Sequence, residues 1–253
     1  MITVDNKQRI LSVVNIFETG TPDGDYADIS IFADGKGGTR QITFGRSQTT
    51  EQGNLKKLVE AYIANKGMFS NDFKPYLPKI GVEPLVDDAD FKALLKRAGE
   101  DDEIMKKTQD EFFDKVYYQP AFKFFTDNGF TLPLSMLVIY DSYIHSGRIP
   151  DFLRERFPES PPVRGGDEKA WVKAYVKTRH EWLLGKGEPL SKTVYRTQVF
   201  SVAIAAGDWM LGSPLVANGT RSRGGLFGDD ASTDDLIEIV PIRGYNRWGL
   251  SRR

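Results

Sequence analysis

The chain has 253 residues, 40% hydrophobic and 27% charged, which excludes wholesale disorder and suits one large domain or two lobes. Its 34 basic and 35 acidic side chains leave a formal charge of −1, without the basic excess that nucleic-acid binding wants. Cysteine is absent, so disulfides, thiolate zinc sites and thiol nucleophiles are excluded. The two histidines, His145 and His180, do not make a His-rich metal site, and neither metal nor organic cofactor is expected. No apolar run approaches the roughly 20 residues of a membrane span. The longest, 132–144, is interrupted by Pro133, Ser135 and Asp141. Absent cysteine suits a reducing cytoplasm and an exported enzyme alike, and residues 1–6 lack the basic-then-apolar order of a secretory signal.

In chain order, the first element is an amphipathic helix over 5–20. Asp5 and Gln8 have capping-box spacing, Ile10, Val13, Val14 and Phe17 form a stripe, and Gly20 stands at the stop. An acidic turn segment, 21–28, leads to a short alternating strand through Ile29, Ile31 and Phe32. A glycine-rich loop, 34–39, separates it from a second strand at 41–44. Beyond Gly53 the periods are helical. Leu55, Leu58, Val59, Tyr62 and Ile63 share one face, Phe91, Leu94 and Leu95 another, and Met105, Phe112, Val116 and Tyr117 a third. Residues 132–146 read as a buried helix with Pro133 in its first turn. The run 158–166 is the best internal linker. Asp167 then caps a helix carrying Trp171, Tyr175, Val176, Arg179 and Trp182, and a further helix covers 192–206. The stretch 218–253 is irregular, Gly- and Arg-rich, with one strand-like run at 236–242. No internal repeat is present. The class is mainly α with a small β element near the N-terminus.

Two carboxyls stand in contrasting settings. Glu18 falls in the last helical turn beside Ile16 and Phe17, where the dipole and apolar neighbours disfavour ionisation, as a general acid requires. Asp34 opens a loop with Gly35, Gly37 and Gly38 that leaves a carboxylate solvated, and the Thr39 hydroxyl is within reach of a water. Carboxyls in different environments make a glycosidase pair. The plainer reading is an exposed helix end and a turn. A nucleotide loop at 35–39 lacks the required spacing and a following helix, and Asp23 and Asp25 lack the offsets of a calcium loop. Asp141, inside an apolar helix, needs a cationic partner, with Arg179 first and Arg196 second; a purely structural ion pair answers the same need. His145 reads as a core or rim histidine, and Trp171, Trp182, Trp209 and Trp248 as core more than sugar platforms.

These residues, in this order, resemble the family-46 chitosanases. The similarity runs from the helix ending at Glu18 through Asp34-Gly-Lys-Gly-Gly-Thr39, Phe44-Gly45 and the helix 54–62. It continues through 116–121, Tyr140-Asp141 with His145-Ser146-Gly147, 165–168, Arg179, Gly207-Asp208-Trp209 and Ser213-Pro214-Leu215. The resemblance implies an α+β, lysozyme-like fold of two helical lobes with a substrate cleft between them, a catalytic domain over 1–217 and an extension over 218–253. It implies Glu18 as general acid, Asp34 as the base that activates water, and Thr39 as a residue positioning that water. Asp141 and Arg179 fall in a buried ionic network behind the acid, completed by Arg196 or, in an ungapped alignment, Lys192. Lys36 stands where the family has arginine, so bidentate pairing is lost. Asn54 stands where the family aspartate meets a glucosamine ammonium, and Glu51 is a substitute for it. Residues 1–35 carry six acids against Lys7 and Arg9, which suits a polycationic polymer.

The expected activity is endo-acting, inverting hydrolysis of β-1,4 linkages in an amino-sugar polymer, chitosan first, with carboxyls at least about 6.5 Å apart. A peptidoglycan glycosidase and a non-catalytic carbohydrate-binding protein on the same fold are the alternatives. A monomer acting outside the cell or in the cell wall is expected, with no nucleic-acid or membrane partner.

Overall fold

The computed structural model describes residues 1–188, 190–217 and 219–222. The strand-like run 236–242, Trp248 and nearly all of the expected extension lie outside the described residues. The elements in order are α1 (Val4–Thr19), β1 (Ile29–Phe32), β2 (Gln41–Phe44), β3 (Thr49–Thr50), α2 (Leu55–Ala64), α3 (Ser70–Phe73), α4 (Ala89–Asp101), α5 (Glu103–Phe113), α6 (Gln119–Asp127), α7 (Pro133–Ser146), α8 (Asp151–Arg154), α9 (Glu168–Leu184), α10 (Tyr195–Ala205), β4 (Val216–Ala217) and β5 (Thr220–Arg221). The chain is mainly helical, as its periodicity predicts. Among the described residues no helix is long and apolar enough to cross a membrane.

It divides into two compact units. One joins residues 1–23 to the chain from Tyr117 onward, and the other is Gly24–Val116. The breaks fall after Asp23 and Val116, not in 158–166, which is no linker. That stretch is tied down within its own unit: the Val163 amide donates to the Asn128 carbonyl and Arg154 Nη2 to the Glu159 carbonyl. The second break falls within a π-helical turn, Asp114–Tyr118, that ends the face expected to run from Met105 to Tyr117. Phe113 is the fully buried aromatic there, while Phe112 is half-buried.

In the first unit, α7 is enclosed by α1, α6, α9 and α10. All its residues from Pro133 to Ser142 are buried, so it shows no polar face in sequence. Pro133 begins it, where a missing N–H matters least, and Gly147 ends it in the left-handed conformation. Glu168, at the start of α9, accepts from the Thr131 and Leu132 amides and the Thr131 and Ser135 hydroxyls, and so fixes the entry to α7. Helix α1 ends at Gly20 (φ 80°), as expected. Its capping box is Thr3 with Asn6, not Asp5 with Gln8, since Thr3 and Asn6 satisfy each other's backbone amides. Asp5 instead pairs with Arg9 one turn on. The β4–β5 hairpin carries this unit past the expected boundary at 217: the Ser222 amide and hydroxyl both bond Leu215.

In the second unit, β1, β2 and β3 form an antiparallel sheet with Ile29 opposite Phe44 and Phe32 opposite Gln41. Every residue of β2 is buried. Ile42 and Phe44 join Leu55, Leu58, Val59, Tyr62, Phe91, Leu95 and Met105 in its core. Buried glutamines stitch the sheet to its surroundings: Gln48 bridges Thr43 and Asp28, and Gln109 holds the Arg46 amide and the Tyr26 carbonyl. Burial pushes the Tyr62 hydroxyl well above its ordinary pKa, with its bond to Asp102 acting the same way.

Candidate active site

Glu18 is neither an exposed helix end nor surrounded by apolar groups alone. Only 5% of it is exposed, and Arg196 Nη2 donates to its Oε1. Arg196 is the second residue of α10, and its planar fork also reaches Asp141 Oδ1 through Nη1 at 2.5 Å. Asp141 Oδ2 in turn accepts from Arg179 Nη1 at 2.6 Å, on α9. The structure thus strings Glu18, Arg196, Asp141 and Arg179 into one chain of contacts across α1, α10, α7 and α9. The Lys192 side chain pairs with Glu188.

The side chains of all four are at most 1% exposed. Two guanidinium groups against two carboxyl groups can balance, the condition under which buried charge is tolerable. Burial works against the charge of Arg196, but Asp141, then Tyr195 and Glu18, outweigh it and hold its pKa well above the usual value. Arg196 also lies 5.1 Å from the centroid of the Phe17 ring. Tyr195 donates to the Phe17 carbonyl, fixing the last turn of α1 beside the arginine. With Glu18 protonated the four groups carry one net positive charge; after it gives up its proton they are balanced. Proton donation from Glu18 therefore leaves no unpaired buried anion.

The second cluster lies in the other unit and uses neutral partners. Asp34 is half-buried and accepts from Gln41 Nε2 at 2.9 Å. Gly37 (φ 69°) and Gly38 (φ 78°) turn the loop in a conformation that favours glycine, and the Gly35 amide closes it on the Thr39 carbonyl. The Thr39 hydroxyl donates to the Lys36 carbonyl and accepts from Gln52 Nε2. Lys36 presents an exposed side chain, while its amide donates to Gln52 Oε1 at 2.6 Å. Asn54 occupies the N-cap of α2 without a side-chain capping bond.

Glu51 is a correction. It is 3% exposed, and its two oxygens accept from the Ile42 and Leu85 amides, so it braces β2 against the 85 loop and cannot stand in for a charge at Asn54. Gln41 and Gln52, which bond Asp34, Lys36 and Thr39, belong to no motif in the sequence; their one signal is the glutamine that opens the strand at 41–44. Trp171 and Trp209 are core residues, as their spacing predicts, and Trp182 and His145 are half-buried. Among the described residues no cluster of three or more His, Asp or Glu is placed to hold a metal ion.

Comparison with known proteins fits this arrangement. The model of glycosyl hydrolase family 46 matches residues 12–215, a span that contains both clusters. A chitosanase of Bacillus subtilis (strain 168) is 28% identical, covering 79% of this chain and 75% of its own. Among solved structures, native chitosanase from Bacillus subtilis MY002 superposes with a TM-score of 0.74 at 23% identity, covering 87% of this chain and 97% of that one. The family-46 chitosanase of Gynuella sunshinyii, in complex with chitotetraose, gives 0.71 at 20% identity, with 87% and 98% covered. At those identities the two structures speak for the fold.

Proposed function

Because the chain belongs to glycosyl hydrolase family 46, a family of glycoside hydrolases, we propose that it cleaves β-1,4 linkages within chitosan, with inversion at the anomeric carbon. The observation that carries this reading is Glu18, a helix-end carboxyl buried against an arginine whose charge it shares with Asp141. That setting gives one carboxyl a reason to exchange a proton out of water's reach. The named activity of the Bacillus subtilis relative and the chitotetraose bound by the Gynuella sunshinyii neighbour support chitosan as the polymer.

In this mechanism Glu18 protonates the departing glycosidic oxygen, and the carboxylate left behind is balanced by Arg196. Asp34 takes a proton from the water that attacks the anomeric carbon. Arg179 and Asp141 hold the Arg196 fork so that one of its nitrogens faces Glu18. A polymeric substrate places the enzyme's work outside the cell or in the wall.

The test is release of new reducing ends from chitosan and, in parallel, from peptidoglycan, by the wild-type protein and Glu18→Gln. Chitosan cleavage that disappears in Glu18→Gln is the expected result. Cleavage of peptidoglycan alone reassigns the substrate, as Asn54 without a charge would favour, and full activity in Glu18→Gln removes the acid.

A further inference from the structure

The Asp34 loop is held by a closed circuit of side-chain amides whose orientations are fixed by the backbone. Gln52 Oε1 accepts from the Lys36 amide, and an amide N–H is a donor without ambiguity. Gln52 Nε2 must then be the donor to Thr39 Oγ1 at 3.0 Å. Thr39 accepts there, so its own proton goes to the Lys36 carbonyl, also at 3.0 Å. The same logic fixes Gln41. Its Oε1 accepts from the Gln52 amide, which leaves Nε2 to donate to Asp34 Oδ1.

The chemical consequence concerns what a water would meet. The Thr39 hydroxyl has its proton and one acceptor direction committed, so a water can approach it only as a donor. Asp34 has one oxygen held by Gln41 and the other available, again only as an acceptor. A water between two acceptors has both its protons directed away from the reacting carbon and a lone pair directed toward it.

We infer that Gln41 and Gln52 are positioning residues for hydrolysis, setting Asp34 and Thr39 as the paired acceptors of the attacking water's two protons. The inference rests on the reading of Asp34 as the base. In the step itself the water oxygen bonds the anomeric carbon as the bond to the glycosidic oxygen breaks. One water proton passes to Asp34, the other stays on the new hydroxyl, donated to Thr39, and the departing oxygen receives the Glu18 proton. The proton gained by Asp34 then leaves to solvent as Glu18 regains one.

The experiment is steady-state kinetics on chitosan across pH for Gln52→Leu, Gln41→Leu and Gln41→Glu, with Asp34→Asn, Thr39→Val and Thr39→Ser alongside. Gln52 is exposed, so its replacement leaves the fold intact even if the buried Gln41→Leu does not. Gln52→Leu should lower kcat about 10-fold and Gln41→Leu about 10- to 100-fold, each with KM within about twofold, since orientation of the nucleophile is lost and not binding. Thr39→Val should cost far less in the Gln52→Leu background than alone, because the two act as one unit, and Thr39→Ser should retain activity. Gln41→Glu removes the donor and sets a second carboxyl against Asp34, so the acidic limb of the pH–rate profile should move to higher pH. The other charged groups nearby, Lys36, Arg40 with its partner Asp87, and the amide-bound Glu51, are untouched in these variants. Wild-type kcat in Gln52→Leu together with an unmoved profile in Gln41→Glu, while Asp34→Asn is inactive, overturns the inference. Full activity in Asp34→Asn instead overturns the reading of the base on which it rests.

Discussion

Glu18 and Asp34 are held by opposite chemistries. Around Glu18 the partners are charged, dry and drawn from three other helices, so that the same contacts which set the proposed acid also close the core of their unit. Around Asp34 the partners are neutral amides on a half-exposed loop, drawn from a stretch of about twenty residues. Removing an arginine from the first cluster strands buried carboxyls. Removing an amide from the second leaves groups that water can satisfy. In the proposed mechanism, function and stability are thus coupled at one carboxyl and separable at the other.

The sharpest way to break that contrast is Arg196→Met. Asp141 and Glu18 would both lose their shared cation, and the loss expected is about 3–5 kcal/mol in urea unfolding, with activity gone. Asp34→Asn should do the opposite. A fall in kcat of about 10²- to 10⁴-fold is expected for loss of the base, while unfolding shifts by no more than about 0.5 kcal/mol. Glu51→Gln leaves one buried backbone amide short of an acceptor and should cost about 1–3 kcal/mol, with KM for chitosan unchanged; a raised KM would restore Glu51 to substrate binding. Smallest is Glu168→Ala, which frees the donors at the start of α7 and should cost about 0.5–2 kcal/mol, the range of a lost helix cap, with kcat retained.

The sequence made some of this legible because the signals are local. The strands at Ile29–Phe32 and Gln41–Phe44 follow from alternation between turn residues, and Pro133, Gly147 and Asp167 mark helix ends by backbone chemistry that needs no tertiary context. Asp141 announced a partner because a carboxyl inside an apolar helix must have one. Its arginines did not announce themselves by spacing, since Arg196 lies 178 residues from Glu18. The choice of Arg196 over Lys192 is a matter of four residues: Lys192 lies in the short 3-10 turn Leu190–Val194, and Arg196 in the first turn of α10. The break between units was illegible for a different reason. It falls within a helical turn at Asp114–Tyr118, while the proline-rich run that looked like a boundary is fastened down by Asn128 and Arg154. The amide circuit left no pattern at all, because two glutamines eleven residues apart acquire meaning only when β2 and the β3–α2 turn are brought together.

The division of labour between the two carboxyls is tested most directly on a dinitrophenyl glycoside of a glucosamine oligomer, whose leaving group departs without a proton. On that substrate Glu18→Gln should recover most of the wild-type rate that it loses on chitosan, while Asp34→Asn should remain inactive. Recovery by Asp34→Asn with none by Glu18→Gln would contradict the account, because the acid would then lie on the loop and the base in the buried charge chain.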